Sequence, residues 1–303
     1  GKANYTVKER CNRLIRKGFW FQVYEQIIVI TPVIPAVFFR WPFFQVINEK
    51  IRIIQHLLIV KYLQRYQKSK DRKILIWFQR PEFNSRYIKH IPHWKVLYDC
   101  TEDYIELLKN EDPVLLNKYK EDDEVITKNA SVITSVSKEY ANIKAKSNSN
   151  TFWISNGVDF KVFEAFFGSK DNKERLNVKP VISFIGILNN RHDIDLILEL
   201  AGKYPECVIE IVGHINNYIA SKATKRRISN IRFIPGITAK DIPMYLLGVD
   251  VCLLIYKCNY LNRTGSSMKI YQYLASGKPI VSYPVADAER FGDVIYLAND
   301  RNE

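Results

Sequence analysis

Residues 264–272, Thr-Gly-Ser-Ser-Met-Lys-Ile-Tyr-Gln, put small donor groups, a cation and an amide on one short stretch. Thr264, Gly265, Ser266 and Ser267 precede an amphipathic run and read as a helix start. Free backbone N–H groups and the partial positive charge of a helix end attract anions, phosphates above all. Lys269 adds a full charge in the first turn. Gln272, one turn further on, can bond a hydroxylated group such as a ribose. The same residues also suit a plain serine N-cap on an internal helix with Lys269 solvated, and the stretch by itself leaves both readings open.

A second cluster, Asp99, Glu102 and Asp103, follows the apolar run that starts at Lys95. Carboxylates at the C-terminal end of a buried strand lie where open α/β sheets bind ligands. There they can take a proton from an attacking hydroxyl or stabilise an oxocarbenium-like centre. Thr101-Glu102-Asp103 fits a helix N-cap equally well. His192-Asp193-Ile194-Asp195 contains an Asp-x-Asp triplet, but it enters a helix, where positions i and i+2 diverge. It reads as an N-cap followed by a surface acid, and no metal is expected.

The elements that would carry these groups alternate along the chain. Strand patterns run over 26–31, 73–78, 95–100, 131–136 and 151–155, then over 181–185, 207–212, 231–234, 251–256, 279–283 and 294–298. Most are nearly continuous in Val, Ile and Leu, as strands covered on both faces are. Helical patterns fall at 44–68, with Ile47, Ile51, Ile54 and Leu58 on one face, and at 193–203, 240–248 and 268–276. Eleven strands exceed one small parallel sheet. The expectation is two Rossmann-like doubly wound domains, 1–166 and 167–303, joined through the polar stretch 167–180. The first opens on a basic helix-like segment rather than a strand, and the second stops just after one. The expectation is therefore a first strand missing from the one and a C-terminal end missing from the other.

The net charge of +13 is concentrated in the first third: residues 1–98 hold 19 Lys and Arg against 5 Asp and Glu. That asymmetry points to an anionic partner, or else to a lysine-rich surface of no special purpose. The stretch 36–50 mixes Phe38, Phe39, Trp41, Phe43 and Phe44 with Arg40, which suits an anionic membrane face as well as an ordinary core. Cys11, Cys100, Cys207, Cys252 and Cys258 are odd in number and show no Cys-x-x-Cys pair, so they read as reduced thiols of a cytoplasmic protein. No apolar run approaches the length of a membrane span.

Residues 268–282, MKIYQYLASGKPIVS, resemble the lysine–hydrophobic–Tyr-Glu-Tyr-Leu-Ala-x-Gly-x-Pro-Val-Val signature of the GT-B glycosyltransferases of group 1, in particular the teichuronic-acid and polysaccharide biosynthesis subgroup. In order along the chain, 96–104 is similar to a Tyr-Asp-Cys-x-x-Asp stretch of one subgroup. Residues 153–163 are similar to the Asn-Gly-Val-Asp hinge, 181–213 to the opening of the donor domain, and 231–256 to its next strands. The resemblance implies a GT-B fold, two Rossmann-like domains facing a cleft, and transfer of a sugar from a nucleotide-diphosphate sugar to an acceptor hydroxyl on a glycan or lipid-linked glycan. By position it implies a pyrophosphate on 264–269, a tight turn at Gly186 and a basic phosphate partner at Arg191. Gly236 and Ile237 would face the base, Gln272 the ribose, and His214 would border the sugar or phosphate. It implies no cofactor and no metal. The family's paired glutamates stand here as Thr264 and Gln272, and its helix-start proline as Ser267.

Other functions remain open at this point. A nucleotide-sugar epimerase on the same architecture needs no acceptor and little basic surface, which the first third argues against. A nucleic-acid-binding protein would interleave basic and aromatic residues on an exposed sheet, whereas these apolar runs read as buried, so nucleic acid is not the expected partner. A non-catalytic GT-B-like subunit fits the missing glutamates. The expected location is cytoplasmic, peripheral on the inner face of a membrane.

Overall fold

A computed structural model of the chain describes residues 19–24, 27–32, single positions from 47 to 61, 73–81, 85–110, 113–168, 179–214, 221, 228–301 and 303. The basic segment 8–18, the aromatic stretch 36–50 and the linker 167–180 lie outside the described residues, apart from a few positions in the last two. By contact density the chain separates into two compact units. One runs to Tyr98 and resumes over Glu111–Ser131; the other holds Asp99–Asn110 and Val132–Glu303.

The architecture is α/β. β1 (Phe19–Tyr24) and β2 (Ile27–Pro32) form an antiparallel hairpin. β3 (Leu75–Phe78), β4 (Lys95–Cys100), β5 (Val132–Ser135) and β6 (Thr151–Trp153) make a sheet in chain order, with β3 parallel to β4 and β5 parallel to β6. The third sheet contains β7 (Val181–Ile185), β8 (Val208–Val212), β9 (Ile231–Ile234), β10 (Val251–Leu254), β11 (Ile280–Ser282) and β12 (Tyr296–Leu297). Its order is β12-β11-β10-β7-β8-β9, parallel throughout. Numbered within the sheet this is 3-2-1-4-5-6, the doubly wound order whose ligands sit where the winding reverses, beyond the carboxyl ends of the first and fourth strands. Here those strands are β7 and β10.

The helices are α1 (Ser85–His90), α2 (Tyr104–Leu107), α3 (Pro113–Asn129), α4 (Lys138–Ala145), α5 (Phe160–Phe167), α6 (Ile194–Lys203), α7 (Ile242–Leu247), α8 (Tyr260–Arg263), α9 (Met268–Ser276) and α10 (Ala286–Arg290). The alternation of each strand in the third sheet divides its apolar residues between two faces. Val181, Ile185, Val212 and Leu254 pack with Leu246 of α7 and with Ile270 and Tyr273 of α9. Phe184, Ile209, Ile211 and Leu253 pack with Ile197 and Ala201 of α6. Burial on both faces is why these strands read as unbroken apolar runs.

The strand patterns from 26–31 onward fall on β2–β12, with ends that differ by at most two residues. β1 was not anticipated: its two-residue connection, Glu25-Gln26, carries no Gly or Asn to announce a hairpin. The 44–68 pattern coincides with helical positions between 47 and 61, yet Ile54 and Leu58 are each 56 % exposed. Edge strand β3 also departs from the buried pattern, with Leu75 and Trp77 more than half exposed.

One polar contact fixes α9 against the sheet. The fully buried Tyr273 hydroxyl accepts from the Ile185 N–H at 3.0 Å, at the very end of β7. Tyr273→Phe leaves that buried N–H without its acceptor, and such a loss costs about 1–3 kcal/mol. Urea unfolding of this variant is expected to show a lowered midpoint with an unchanged slope.

Candidate functional site

α9 begins without a side-chain cap: Ser267 holds the extended N-cap conformation (φ −98°, ψ 118°) but makes no side-chain capping bond. Its hydroxyl lies 3.3 Å from that of Tyr256, just past the end of β10. Lys269 Nζ donates to the Tyr256 hydroxyl at 2.9 Å and sits over the rings of Tyr256 and Phe184 at 5.3 and 5.5 Å. Among the described residues this ammonium has no carboxylate partner. Gly186 is what lets it through. With φ +136°, a Cβ there would meet Lys269 Cε at 2.3 Å, so any side chain would expel the lysine.

Arg191 approaches from the loop between β7 and α6. Its Nε donates to Asn262 Oδ1 and its Nη1 to Glu102 Oε1, each at 2.9 Å. Asn262, 4 % exposed in α8, is itself fixed: Nδ2 donates to the carbonyls of Arg191 and Lys257 at 3.0 and 2.9 Å. A Cβ on Gly265 would lie 3.2 Å from Arg191 Nη2, a tight approach, so glycine gives the guanidinium room over this loop. Glu102, Arg191, Gly265, Ser266 and Ser267 thus line one small cleft of about 70 Å³, together with Tyr256, Asn262 and Asp287.

Ser266 is held from two sides. Its hydroxyl donates to Asp287, and Asn156 Nδ2 donates to its oxygen at 3.0 Å. Burial raises the Asp287 carboxyl above the usual carboxylate range, and the Ser266 bond opposes that rise.

The other sequence-predicted residues lie elsewhere. Asp99 accepts from Thr134 Oγ1 at 2.8 Å. Asp103 caps α2, its Oδ1 accepting from the N–H groups of Ile105 and Glu106, while Oδ2 accepts from the Tyr260 hydroxyl at 3.1 Å. Thr264 is fully buried and returns its hydroxyl to the Tyr260 carbonyl at 3.1 Å. Gly236 follows β9, with its Cβ direction 3.8 Å from Gly213 Cα, and Ile237 packs partly against the core. His214 is exposed, and its carbonyl accepts from Leu188 N at 3.3 Å. Gln272 is half-buried on the second turn of α9. Asp193 caps α6, accepting from Leu196 N at 3.3 Å.

Tyr256, Asn262, Asn156 and Asp287 escaped the sequence reading. Two of them carried a signal, Tyr256 by its place at the end of a predicted strand and Asn156 by its place in the Asn-Gly-Val-Asp stretch. His192 was also passed over. It is 3 % exposed between the rings of Phe184 and Tyr256, centroids 5.0 and 4.5 Å away. Burial first, then the nearby Lys269 cation, push its pKa down to about 4, with Arg191 and Lys257 adding to the effect. A folded pKa below the unfolded value of about 6.5 means the unfolded chain binds the extra proton. Stability attributable to His192 is therefore intact above pH 6.5 and is lost as pH falls toward 4. His192→Phe is expected to flatten the pH dependence of thermal stability between pH 6.5 and 4 relative to the parent, by up to about 3 kcal/mol.

No known family profile matches the chain. Over 133 residues it is 27 % identical to a Bacillus subtilis (strain 168) protein, TuaH, whose name assigns it to teichuronic acid biosynthesis as a glycosyltransferase. The match covers 42 % of this chain and only 33 % of that relative. Solved structures align over more of it. Sucrose-phosphate synthase from Thermosynechococcus elongatus superimposes with a TM-score of 0.57 at 12 % identity, covering 80 % of this chain and 65 % of that one. Anabaena HepE, solved with UDP and glucose, gives 0.54 at 14 % identity over 77 % and 64 %. A UDP-forming α,α-trehalose-phosphate synthase from Burkholderia xenovorans, solved with glucose-6-phosphate, gives 0.60 at 9 % identity over 93 % and 78 %. The chain spans about two thirds of the first two of these structures. Its fold is that of the GT-B glycosyltransferases.

Proposed function

We propose that this chain transfers a sugar, of the hexosyl class, from a nucleotide-diphosphate sugar to an acceptor hydroxyl in the synthesis of a cell-surface glycan. In this reading residues 167–303 carry the donor and residues 1–166 the acceptor. The observation that carries it is the pairing of an uncapped helix start with two held cations, Lys269 and Arg191, at the winding reversal of a 3-2-1-4-5-6 sheet. A diphosphate seated there gains backbone N–H donors and two charges. Both strengthen as the leaving group takes up negative charge, and that differential is what accelerates transfer. Glu102, across the cleft, is the carboxylate placed to receive the acceptor proton. Solved neighbours with UDP and glucose support a nucleotide-sugar donor.

A second reading, a subunit that binds the donor without transferring it, is favoured by Thr264 and Gln272, neither of which can supply an acid. Donor hydrolysis by the parent but not by Lys269→Ala separates the two.

The direct test is a thermal-shift panel of UDP, GDP, ADP and their sugars. A true donor at a hundredfold excess over its Kd is expected to stabilise the fold by about 2.7 kcal/mol. Lys269→Ala is expected to weaken that nucleotide about tenfold or more, since a charge-assisted phosphate contact contributes on the order of 1.5–3 kcal/mol. A panel in which nothing stabilises the protein overturns the proposal.

Attachment to an anionic membrane belongs to the same reading. Trp94 is 56 % exposed with Lys73 and Lys95 over its ring at 4.7 and 5.8 Å, the mixed aromatic and basic character of a membrane-interface surface. Among the described residues no helix is long and apolar enough to cross a membrane. Co-sedimentation with phosphatidylglycerol vesicles is expected, weakening as salt rises from about 0.05 to 0.5 M. Trp94→Ala is expected to reduce it several-fold.

A further inference from the structure

Arg191 has two side-chain tethers of unequal permanence. Asn262 is buried, itself bonded to two carbonyls, and cannot move without unravelling the loop. Glu102 is different: its side chain is 37 % exposed, and its 2.9 Å bond to Nη1 is an ion pair at the cleft surface. The backbone beneath Glu102 is nevertheless fixed, because the next residue, Asp103, caps α2 and takes the Tyr260 hydroxyl. The result is a partly exposed carboxylate on a backbone held by its neighbour, bonded to a guanidinium that is held at its other end.

We infer that Glu102 competes with the donor's diphosphate for Arg191 and is displaced from it when the donor binds. This rests on the proposed function, since it takes the cleft to be a diphosphate site. A phosphate offers a guanidinium two acceptor oxygens and more charge than a carboxylate, so it wins the contact. Arg191 also stands close over Gly265, immediately before the α9 start, so a diphosphate on those N–H groups lies within the guanidinium's reach. Glu102 then keeps its place on the cleft wall but loses its counter-ion. It becomes available to an acceptor hydroxyl only once the donor is in place. The arrangement imposes an order, donor first, and keeps the proton acceptor masked until there is a sugar to transfer.

The test measures UDP and GDP binding by calorimetry to the parent, Glu102→Gln, Arg191→Gln and the double variant. Glu102→Gln removes the competing charge and is expected to bind the responding nucleotide about two- to fivefold tighter, the range an ion pair of up to about 1 kcal/mol allows. Its donor hydrolysis is expected to fall at the same time. Arg191→Gln is expected to bind more weakly, and adding Glu102→Gln to it is expected to bring no further tightening, because the two substitutions act through one contact. Glu102→Ala is expected to behave as Glu102→Gln. A parent that binds nucleotide while both Glu102 variants bind it equally or more weakly overturns the latch alone. Binding by none of the four proteins overturns the functional reading and the latch with it.

Discussion

Lys269 reaches the Tyr256 hydroxyl only because position 186 has no side chain. That close approach sets a cation at the carboxyl edge of the third sheet, beyond β7 and β10. A half-buried ammonium enclosed by aromatic rings pays for its desolvation through the tyrosine oxygen and the negative faces of Phe184 and Tyr256. Burial first, and then this ammonium with Arg191 and Lys257, lowers the pKa of His192 to about 4. Two cations, Lys269 and Arg191, thus stand where the winding of the sheet reverses.

Around these two cations the chain spends its buried polar groups on rigidity. Asn262 locks Arg191 by both backbone and side chain. Ser266 is fixed between Asp287 and Asn156, and Tyr273 ties α9 to the last residue of β7. Each is a buried or half-buried group with its partner supplied, so each orders the loop that carries it rather than weakening the core. A site built this way loses little entropy when an anion arrives, because the donors already point at it.

The third sheet was legible in the sequence because strands covered on both faces leave a continuous apolar signature, and α9 was legible because its serine start, its periodicity and Gly277 agree on its ends. Gly277 holds φ +64°, the conformation a helix-ending glycine provides. The helix-start residues Gly265, Ser266 and Ser267, with Lys269 and Arg191, could be assembled from local chemistry and the resemblance. Tyr256, Asn262 and Asp287 could not. Their importance comes from contacts 13 to 71 residues away in sequence, which no local pattern encodes. Asp99 and Asp103 looked no different from Glu102 on paper. Only the neighbours distinguish them, a threonine on the next strand for one, and two helix N–H groups with a tyrosine for the other.

The residues at 264 and 272 then make physical sense together with Glu102. Neither position supplies a charge to the cleft. Thr264 instead turns inward to finish α8, and Gln272 can donate as well as accept. The acidity the cleft retains has moved to other elements. Asp287 is buried and bonded to Ser266, and Glu102 is bonded to Arg191. Of the two, Glu102 is the one whose partner is also the natural counter-ion of a diphosphate. In the proposed function, negative charge in this cleft is kept where a donor would displace it, rather than where it would have to be overcome.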